Sequence, residues 1–327
     1  MTGPHPAVAA CRRHVRTCLS DLPESTVLVA CSGGADSLAL AAAVAFEAPK
    51  LGLATVAVVV DHRLQEGSAA IAQRAAAQCR ALGIGRAEVR AVDVSGAGGP
   101  EAAARDARYA ALRESASAYG AAVVLLGHTR DDQAETVLLA LTRGSGPRAV
   151  TGMAAVTDAS GVRWVRPLLD VTRAETHAAC AALGVEPWHD PHNDDPRYLR
   201  VRMRRALADL ETDVGPGVVA GLARTAELVR DDLDFLDEWA LRLADALGES
   251  PWPVSELAAL ATPIRTRVWR ELLRHAGVPA AALSKVHIDA VDALITGWHG
   301  QRPVHVPGGL QVRRGGGLVV AEPRRVE

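Results

Sequence analysis

A glycine-containing turn near the start of the chain has the residue types of a phosphate-binding loop. The turn, Ser32-Gly33-Gly34-Ala35-Asp36-Ser37, lies between an apolar run, Val27 to Cys31, that predicts a buried strand and an Ala-rich run, Ser37 to about Phe46, that predicts a helix. Adjacent glycines let the backbone approach a ligand closely, so their N–H groups can converge on an anion with those of the first helical turn. Ser32 and Ser37 add hydroxyl donors, and the carboxylate of Asp36 can hold Mg²⁺ beside a polyphosphate.

The same turn lacks the marks of two commoner nucleotide-binding loops. It has no Gly-Lys-Ser/Thr ending, and it lacks the spaced glycines of a dinucleotide site. The order Ser-Gly-Gly-x-Asp-Ser after a strand resembles the pyrophosphate loop of the ATP pyrophosphatases, which cleave ATP between its α and β phosphates and pass AMP to an acceptor. The alternative is an ordinary Gly-Ser turn in an α/β unit.

A second polar segment, Gly127 to Thr136 (GHTRDDQAET), directly follows an apolar run and begins a predicted helix. Asp132 and Glu135 are three residues apart, which places both carboxylates on one face of the first helical turn. Capping alone also brings carboxylates to a helix N-terminus. Capping explains one Asp easily, but not the whole group of His, Asp, Gln and Glu side chains, so we predict a site here with His128 as a further candidate.

Two basic positions lie near these segments. The helix expected after Pro100 carries Arg105 and Arg108, three residues apart, and Glu101 precedes Arg105 by four. From the residues alone, a solvated helix face with an ion pair is the simpler interpretation. His62 follows the second predicted strand, so it lies close to a nucleotide by position, without an assigned role.

Strands and helices alternate along the first part of the chain. The predicted strands are 27–31, 54–60, 88–94, 121–126 and 162–168, and the predicted helices are 6–19, 37–46, 67–82, 100–119, 131–142 and 172–183. Continuous apolar strands that alternate with helices indicate a parallel sheet covered on both faces. Ligands bind beyond the carboxyl ends of such strands, where the polar segments 32–37, 61–62, 93–99 and 127–132 leave the sheet.

The pattern changes after an arginine-rich segment, Arg197 to Arg205. Helical patterns continue to about Trp298, and Pro303 to Glu322 predicts a β-hairpin around three consecutive glycines. We therefore expect an α/β domain with a parallel doubly wound sheet at 1–210, and a smaller, mainly helical domain with a short C-terminal hairpin at 211–327.

Composition indicates a globular protein. Hydrophobic residues make up 49% of the sequence and charged residues 23%, with a net charge of −2. No apolar run approaches the roughly 18 residues of a membrane span, and arginines stand where a signal peptide would be apolar, so we expect a soluble cytoplasmic protein without a membrane partner. The five cysteines include no C-x-x-C pair, which argues against a disulfide framework and a cysteine-only metal site.

Successive segments of the chain together resemble one enzyme family. The segments are SGGADS, DHRLQEGS, EAAARDARYAAL, GHTRDDQAETVLLALTRGSGP, RPLL and NDDPRYLRVRMR. They are similar to the signatures of the tRNA(Ile)-lysidine synthetase family, within the PP-loop superfamily, over about the first 205 residues. The resemblance implies that ATP adenylates the C2 oxygen of the wobble cytidine (position 34) in an isoleucine tRNA with a CAU anticodon, releasing pyrophosphate. Free L-lysine then displaces AMP to form lysidine, which changes the codon read from AUG to AUA.

The resemblance also implies roles for individual residues. The turn from Ser32 to Ser37 and His62 would bind ATP, with Asp36 as the Mg²⁺ ligand. Asp132 and Glu135 would bind lysine, and a carboxylate or His128 would accept its proton. Arg108 would bind phosphate or stabilise the negative charge that develops in the reaction, and Arg105 is a second candidate for this role. The arginines assigned to tRNA are Arg200, Arg204 and Arg205.

Further arginines and tryptophans are candidates for RNA contact. The arginines lie on one predicted helix (Arg265, Arg267, Arg270 and Arg274) and in the tail hairpin (Arg313 and Arg314). The tryptophans Trp239, Trp269 and Trp298 fit either base stacking or the core, and the core is the commoner place for them.

Two departures from the family pattern and three rival interpretations stay open. Val201 and His192 stand where family members usually have Asn and Ser, which puts in doubt fine contacts of that loop. The rivals are a tRNA thiolation enzyme, a non-catalytic nucleotide sensor, and a zinc site built from His177, Cys180, His189 and His192. A homodimer is also left open.

Overall fold

The computed structural model describes residues 3–23, 25–94, 99–144, 146–190 and 195–324. Most of the glycine-rich loop expected at 95–99 lies outside these residues, as does His192. The chain divides into two compact units, Met1–Glu227 and Leu228–Glu327. Among the described residues, no helix is long and apolar enough to cross a membrane.

The first unit contains a mostly parallel sheet, as the sequence predicts. Its strands are β1 (Thr26–Cys31), β2 (Ala54–Asp61), β3 (Arg86–Ala91), β4 (Ala121–Leu126), β5 (Val156–Ala159) and β6 (Val162–Val165). The spatial order is β3-β2-β1-β4-β6-β5, and every neighbouring pair is parallel except β5 with β6. Strand β5 was not predicted. It joins β6 through Ser160 and Gly161, whose φ angles of 53° and 73° are those of a tight hairpin turn.

Helices cover both faces of this sheet. They are α1 (Pro6–Leu19), α2 (Ala35–Glu47), α3 (Ser68–Ala81), α4 (Pro100–Ala118), α5 (Arg130–Thr142), α6 (Pro147–Val150), α7 (Arg173–Ala182) and α8 (Leu199–Asp213). Along β1, Val27 and Val29 pack in a core with residues of α1, α2, α3 and α7, whereas Leu28 and Ala30 pack in a second core with α4. Both faces of β1 are therefore buried, which explains its uninterrupted apolar sequence.

The second unit is mainly helical and ends in a small antiparallel sheet. Its boundary with the first falls within α9 (Val218–Leu247), which α10 (Val254–Ala258), α11 (Thr262–His275) and α12 (Lys285–Thr296) follow. The predicted tail hairpin is present as β9 (Leu310–Gly315) and β10 (Leu318–Pro323). Two strands that were not predicted, β7 (Trp252–Pro253) and β8 (Val304–Val306), extend it to four strands in the order β7-β10-β9-β8.

Candidate functional site

The glycine-containing turn connects β1 to α2, and its own side chains shape it. The Ser37 hydroxyl donates to the Gly34 carbonyl oxygen at 2.9 Å and accepts from the Ser32 N–H at 3.1 Å. Gly33 has a φ of +84°, and a Cβ there would lie 3.1 Å from Cβ of Ala75. Ser37 is buried and Ser32 is exposed, so Ser37 holds the turn while Ser32 faces outward.

A cavity of about 350 Å³ opens beside the turn. Ser32 and Gly34 line it together with His62, Ile71 and Arg108. Burial lowers the pKa of His62, with a further contribution from the Arg108 charge, so the imidazole is held neutral. The cavity therefore combines polar turn atoms, an apolar wall and a cation, which are the features needed to bind a nucleotide.

A second cavity, of about 660 Å³, contains the acidic residues. Ser32, Gly34 and Arg108 line this cavity too, along with Asp36, Ala35, Ser37, His128, Asp132 and Glu135. The predicted site residues of the turn and of GHTRDDQAET thus share one space. The two sequence signatures, about 100 residues apart, meet because β1 and β4 are neighbours in the sheet.

Arg173 links the carboxylates of this second cavity. Its Nη2 atom donates to Asp132 Oδ1 at 2.9 Å and to Glu135 Oε1 at 3.0 Å, and its Nε atom lies 3.9 Å from Asp36 Oδ2. Glu135 Oε1 also accepts from Nε of Arg204 at 3.1 Å. Glu135 is 5% exposed, so the carboxylate at the centre of this network is shielded from bulk water.

Asp132 caps α5 and forms the ion pair at the same time. Its Oδ2 atom accepts from the Thr129 N–H at 2.8 Å, completing a capping box, while Oδ1 faces Arg173. Burial raises the pKa of Asp132, but the Arg173 charge and the Thr129 N–H outweigh it, and the pKa is lowered overall. Capping therefore uses one oxygen of Asp132 and leaves the other for the site.

Asp36 lies at the start of α2 in a less favourable environment for its charge. Burial is the largest influence and raises its pKa, although the Thr176 hydroxyl, which donates to Asp36 Oδ1, and the Arg173 charge both lower it. Thr176 and Arg173 belong to the first turn of α7. This turn therefore supplies both a hydrogen bond and a positive charge to the carboxylate of the phosphate loop.

His128 is half-buried at the edge of the second cavity. Burial lowers its pKa to about 3, so the imidazole is neutral at pH 7 and a weak base. Its Nδ1 atom, like that of His62, is buried without a hydrogen-bond partner among the described residues. Its assignment as a proton acceptor stays a prediction, and the low pKa argues for a neutral hydrogen-bonding role instead.

The predicted arginines of this unit lie in different environments. Arg108 lines both cavities, whereas Arg105 is exposed and stacks over the Tyr109 ring at 4.9 Å. Arg200 and Arg204 line the second cavity, and Arg205 is exposed. Two of the three arginines assigned to tRNA are thus beside the acidic residues.

Both parts of the chain match models of known protein families. A PP-loop domain model matches residues 8–211, and a TilS substrate binding domain model matches residues 253–319. A tRNA(Ile)-lysidine synthase from Thermobifida fusca is 53% identical over 324 residues, covering 98% of this chain and 99% of that protein. The corresponding protein from Salinispora tropica is 54% identical and covers 97% of both chains. The chain belongs to the tRNA(Ile)-lysidine synthase family.

A solved structure supports the fold alone. The U34-tRNA thiolase NcsA from Methanococcus maripaludis matches with a TM-score of 0.58 at 19% identity, covering 68% of this chain and 80% of that one. Membership of the lysidine synthase family therefore comes from the sequence comparisons, whereas the thiolase shares only the architecture of the domain.

The second unit corrects several expectations about RNA contacts. Arg265 is 6% exposed and pairs with the buried Asp292, and Arg267 pairs with Asp237 at 2.7 Å. Arg265 is not available to phosphate in this structure, so its assignment to an RNA-binding face of α11 was wrong, whereas the assignment of the half-buried Arg267 stays a prediction. The remaining arginines also have intramolecular partners, namely Arg270 with the Leu283 carbonyl, Arg274 with Glu271, Arg313 with Glu322 and Arg314 with the Leu294 carbonyl.

The three tryptophans divide between the core and the surface. Trp269 is fully buried, as the commoner interpretation predicts. Trp239 and Trp298 are 42% and 38% exposed, so core packing was the wrong expectation for them. The Cys180 thiol of the proposed zinc site donates to the Ala35 carbonyl oxygen at 3.4 Å inside the first unit, and thus serves packing near the phosphate loop.

Two functional residues were missed from the sequence, Arg173 and Thr176. A Thr-x-x-Glu capping box, Thr172 with Glu175, marks the start of α7 and was available as a signal. It predicts where the helix begins, but not that its first turn faces the acidic residues. That information depends on the packing of α7 against α2.

Proposed function

We propose that this chain is a tRNA(Ile)-lysidine synthase, a ligase that forms a C–N bond at the expense of ATP. ATP adenylates the C2 oxygen of cytidine 34 in tRNA(Ile) with a CAU anticodon, and pyrophosphate leaves. The ε-amine of L-lysine then forms a bond to C2 while the C2–O bond to AMP breaks. The full-length relatives at about half identity support this assignment.

One observation carries the mechanism. Ser32, Gly34 and Arg108 line both cavities, so a nucleotide in the first would place its phosphates beside the carboxylates of the second. The amine and the adenylated base would then meet at the shared wall. This arrangement supplies the proximity that a two-step transfer requires.

The phosphate loop and Arg108 would act on the departing pyrophosphate. The loop presents backbone N–H groups at the start of α2, where the helix dipole favours an anion. Arg108 faces the same space, and its charge would stabilise the negative charge that develops as pyrophosphate leaves.

Asp36 fits the role of a Mg²⁺ ligand. Mg²⁺ is commonly held by one or two carboxylates together with substrate phosphates and water. Oδ1 of Asp36 accepts from Thr176, and Oδ2 lies 3.9 Å from Arg173 Nε, within the cavity that the loop also lines. When bound, Mg²⁺ would neutralise charge on the β and γ phosphates.

Asp132 and Glu135 would bind the lysine ammonium. An amine with an ordinary pKa near 10.4 must lose a proton before attack, which costs about 5 kcal/mol at pH 7. Two carboxylates can hold the ammonium and accept its first proton before attack, and a carboxylate can accept the second proton once the new C–N bond makes the nitrogen more acidic. His128, neutral and half-buried, lines the same space and would help exclude water.

The second unit would bind the tRNA, because residues 253–319 match the substrate-binding domain of the family. Arg200 and Arg204 line the acidic cavity and would meet the RNA near the wobble base, with Arg205 as an outer contact. Such contacts make binding depend on salt concentration.

A single labelling assay tests the proposal. Full-length protein, tRNA(Ile) transcript, ATP, Mg²⁺ and labelled L-lysine are expected to give labelled tRNA and equimolar AMP. Asp36→Ala is expected to abolish both products, whereas Thr212→Val, on the exposed side of α8, serves as the matched control. ATP binding without AMP formation would instead indicate a nucleotide sensor.

The same assay includes a sulfur donor in a separate reaction. Cys31 and Cys79 have hydrogen-bonded thiols, although they are only 3% and 0% exposed. Their burial argues against a sulfur-carrying role, since such thiols must reach a donor protein. Labelling from sulfide but not from lysine would contradict the lysidine assignment and support thiolation.

A further inference from the structure

The Arg173 guanidinium occupies the position between two carboxylates at which the lysine ammonium would bind according to the proposed function. Its Nη2 atom bridges Asp132 Oδ1 and Glu135 Oε1 at 2.9 and 3.0 Å. A lysine ammonium bound to both carboxylates would need the same two oxygens. Its three donors match such a site, but it cannot enter while Nη2 remains there.

The charges of the cavity define what can bind. Three carboxylates, Asp36, Asp132 and Glu135, line it together with four arginines, Arg108, Arg173, Arg200 and Arg204. Arg173 lies within 4 Å of each of the three carboxylates. Its positive charge therefore weakens their attraction for an incoming cation.

Arg173 also has a second anionic neighbour to which it can turn. Its Nε atom lies 3.9 Å from Asp36 Oδ2, beyond hydrogen-bond distance but close enough for a small rotation to close the gap. Its backbone N–H is fixed by Asp131 Oδ2 at 2.8 Å, so the side chain can move while the start of α7 stays in place. The polyphosphate of ATP would add negative charge on the Asp36 side.

We propose that Arg173 is a positioning residue that couples the two substrates. Its guanidinium occupies the ammonium position between Asp132 and Glu135, and when ATP binds it turns toward Asp36 and the polyphosphate. The binding position for the lysine ammonium then becomes free. This inference rests on the proposed function, because it takes lysine and ATP as the two ligands.

Coupling of this kind has a direct thermodynamic signature. If ATP draws Arg173 away, lysine binds more tightly with ATP present, and ATP binds more tightly with lysine present by the same factor. A purely structural arginine would change stability or overall affinity without changing this factor. The coupling factor is therefore the quantity to measure.

Calorimetric titration of L-lysine into the full-length protein, with and without a non-hydrolysable ATP analogue and Mg²⁺, tests the proposal. For the wild type we expect the analogue to tighten lysine binding about fivefold or more. Without the analogue, we expect Arg173→Gln to bind lysine at least about threefold more tightly than the wild type does. We also expect its coupling factor to fall close to one. Arg163→Gln, an exposed change on β6, is expected to behave as the wild type.

If circular dichroism shows that Arg173→Gln does not fold, Arg173→Lys serves as the second test. A lysine side chain keeps the charge but has no counterpart of the Nε atom that lies near Asp36, so the coupling factor is expected to fall at least about twofold. Wild-type coupling in either folded variant, or weaker lysine binding by Arg173→Gln, would overturn the role of Arg173. A wild-type protein that neither binds lysine nor transfers it to tRNA would overturn the proposed function instead.

Discussion

A Cβ atom on Gly127 would lie 3.0 Å from the carbonyl oxygen of Asp36 and 3.1 Å from Cα of Ser37. Gly127 is the first residue after β4, and Asp36 and Ser37 are in the first turn of α2. The phosphate loop and the acidic segment therefore touch backbone to backbone. No side chain fits between them, because the neighbouring atoms belong to the main chain and cannot rotate away.

Gly127→Ala is expected to disturb the site more than a helical glycine change would. The added methyl group must push the start of α2 away from β4, which we expect to cost about 1–3 kcal/mol of unfolding free energy. The affinity for ATP should fall with it. Gly221→Ala in α9, where an added Cβ meets nothing within 4 Å, is the control and should be neutral or stabilising. Equal urea midpoints and equal ATP affinity for Gly127→Ala and the wild type would contradict this account.

The elements that local patterns specify were predictable from the sequence, and the long-range contacts were not. Apolar runs locate β1, β2 and β4 within about one residue, and the bounds expected for α1 and α5 agree with the structure within about one residue. The glycine at 127 was visible in the motif, but its close approach to Asp36 depends on the order of strands in the sheet.

The sequence did not predict which residues the arginines pair with. Arg173 pairs with residues 41 and 38 positions away, and Arg265 pairs with one 27 positions away. No local pattern distinguishes an arginine that faces a buried carboxylate from one that faces solvent or RNA. The short strands β5, β7 and β8 were missed for a related reason, since strands of two to four residues are stabilised by their neighbours rather than by their own composition.

Thr176→Val is expected to make the enzyme more sensitive to acid. Burial already raises the pKa of Asp36, and the Thr176 hydroxyl opposes this by donating to the carboxylate. Without the hydroxyl the pKa of Asp36 rises further, so the carboxylate is protonated at a higher pH. The acidic limb of the profile of kcat/KM for ATP against pH should therefore move to higher pH. Thr212→Val should leave the profile unchanged. If the profile of Thr176→Val were also unchanged, the activity would not depend on the ionisation of Asp36.

His128→Asn is expected to reduce the loss of stability in mild acid. The pKa of His128 is about 3 in the folded protein against 6.5 as its ordinary value. The unfolded chain therefore binds the proton between these values, and the unfolding free energy falls as pH falls. From pH 7 to pH 5 this imidazole should remove about 2 kcal/mol, a loss that the asparagine variant avoids. Urea unfolding at both pH values measures the difference, and equal losses for the two proteins would mean that His128 is solvated when protonated.

Arg265→Met is expected to destabilise the second unit without a specific effect on tRNA binding. Arg265 donates to Asp292 through Nε at 2.7 Å and Nη2 at 3.1 Å, and the two side chains are only 7% and 11% exposed. Removing the arginine leaves a buried carboxylate whose remaining donor among the described residues is the Trp269 N–H, at 3.2 Å. We expect a loss of about 3–5 kcal/mol. Thermal unfolding monitored by tryptophan fluorescence measures it.

The double variant Arg265→Met with Asp292→Asn separates burial of a charge from loss of packing. The neutral amide keeps an oxygen for Trp269 but carries no charge, so the pair should recover half or more of the lost stability. Lys285→Met, at an exposed pair with Asp289, should change stability by less than about 0.5 kcal/mol. Were Arg265→Met to unfold at the wild-type temperature yet lose tRNA affinity, Arg265 would contact phosphate and its pairing with Asp292 would have to open in the complex.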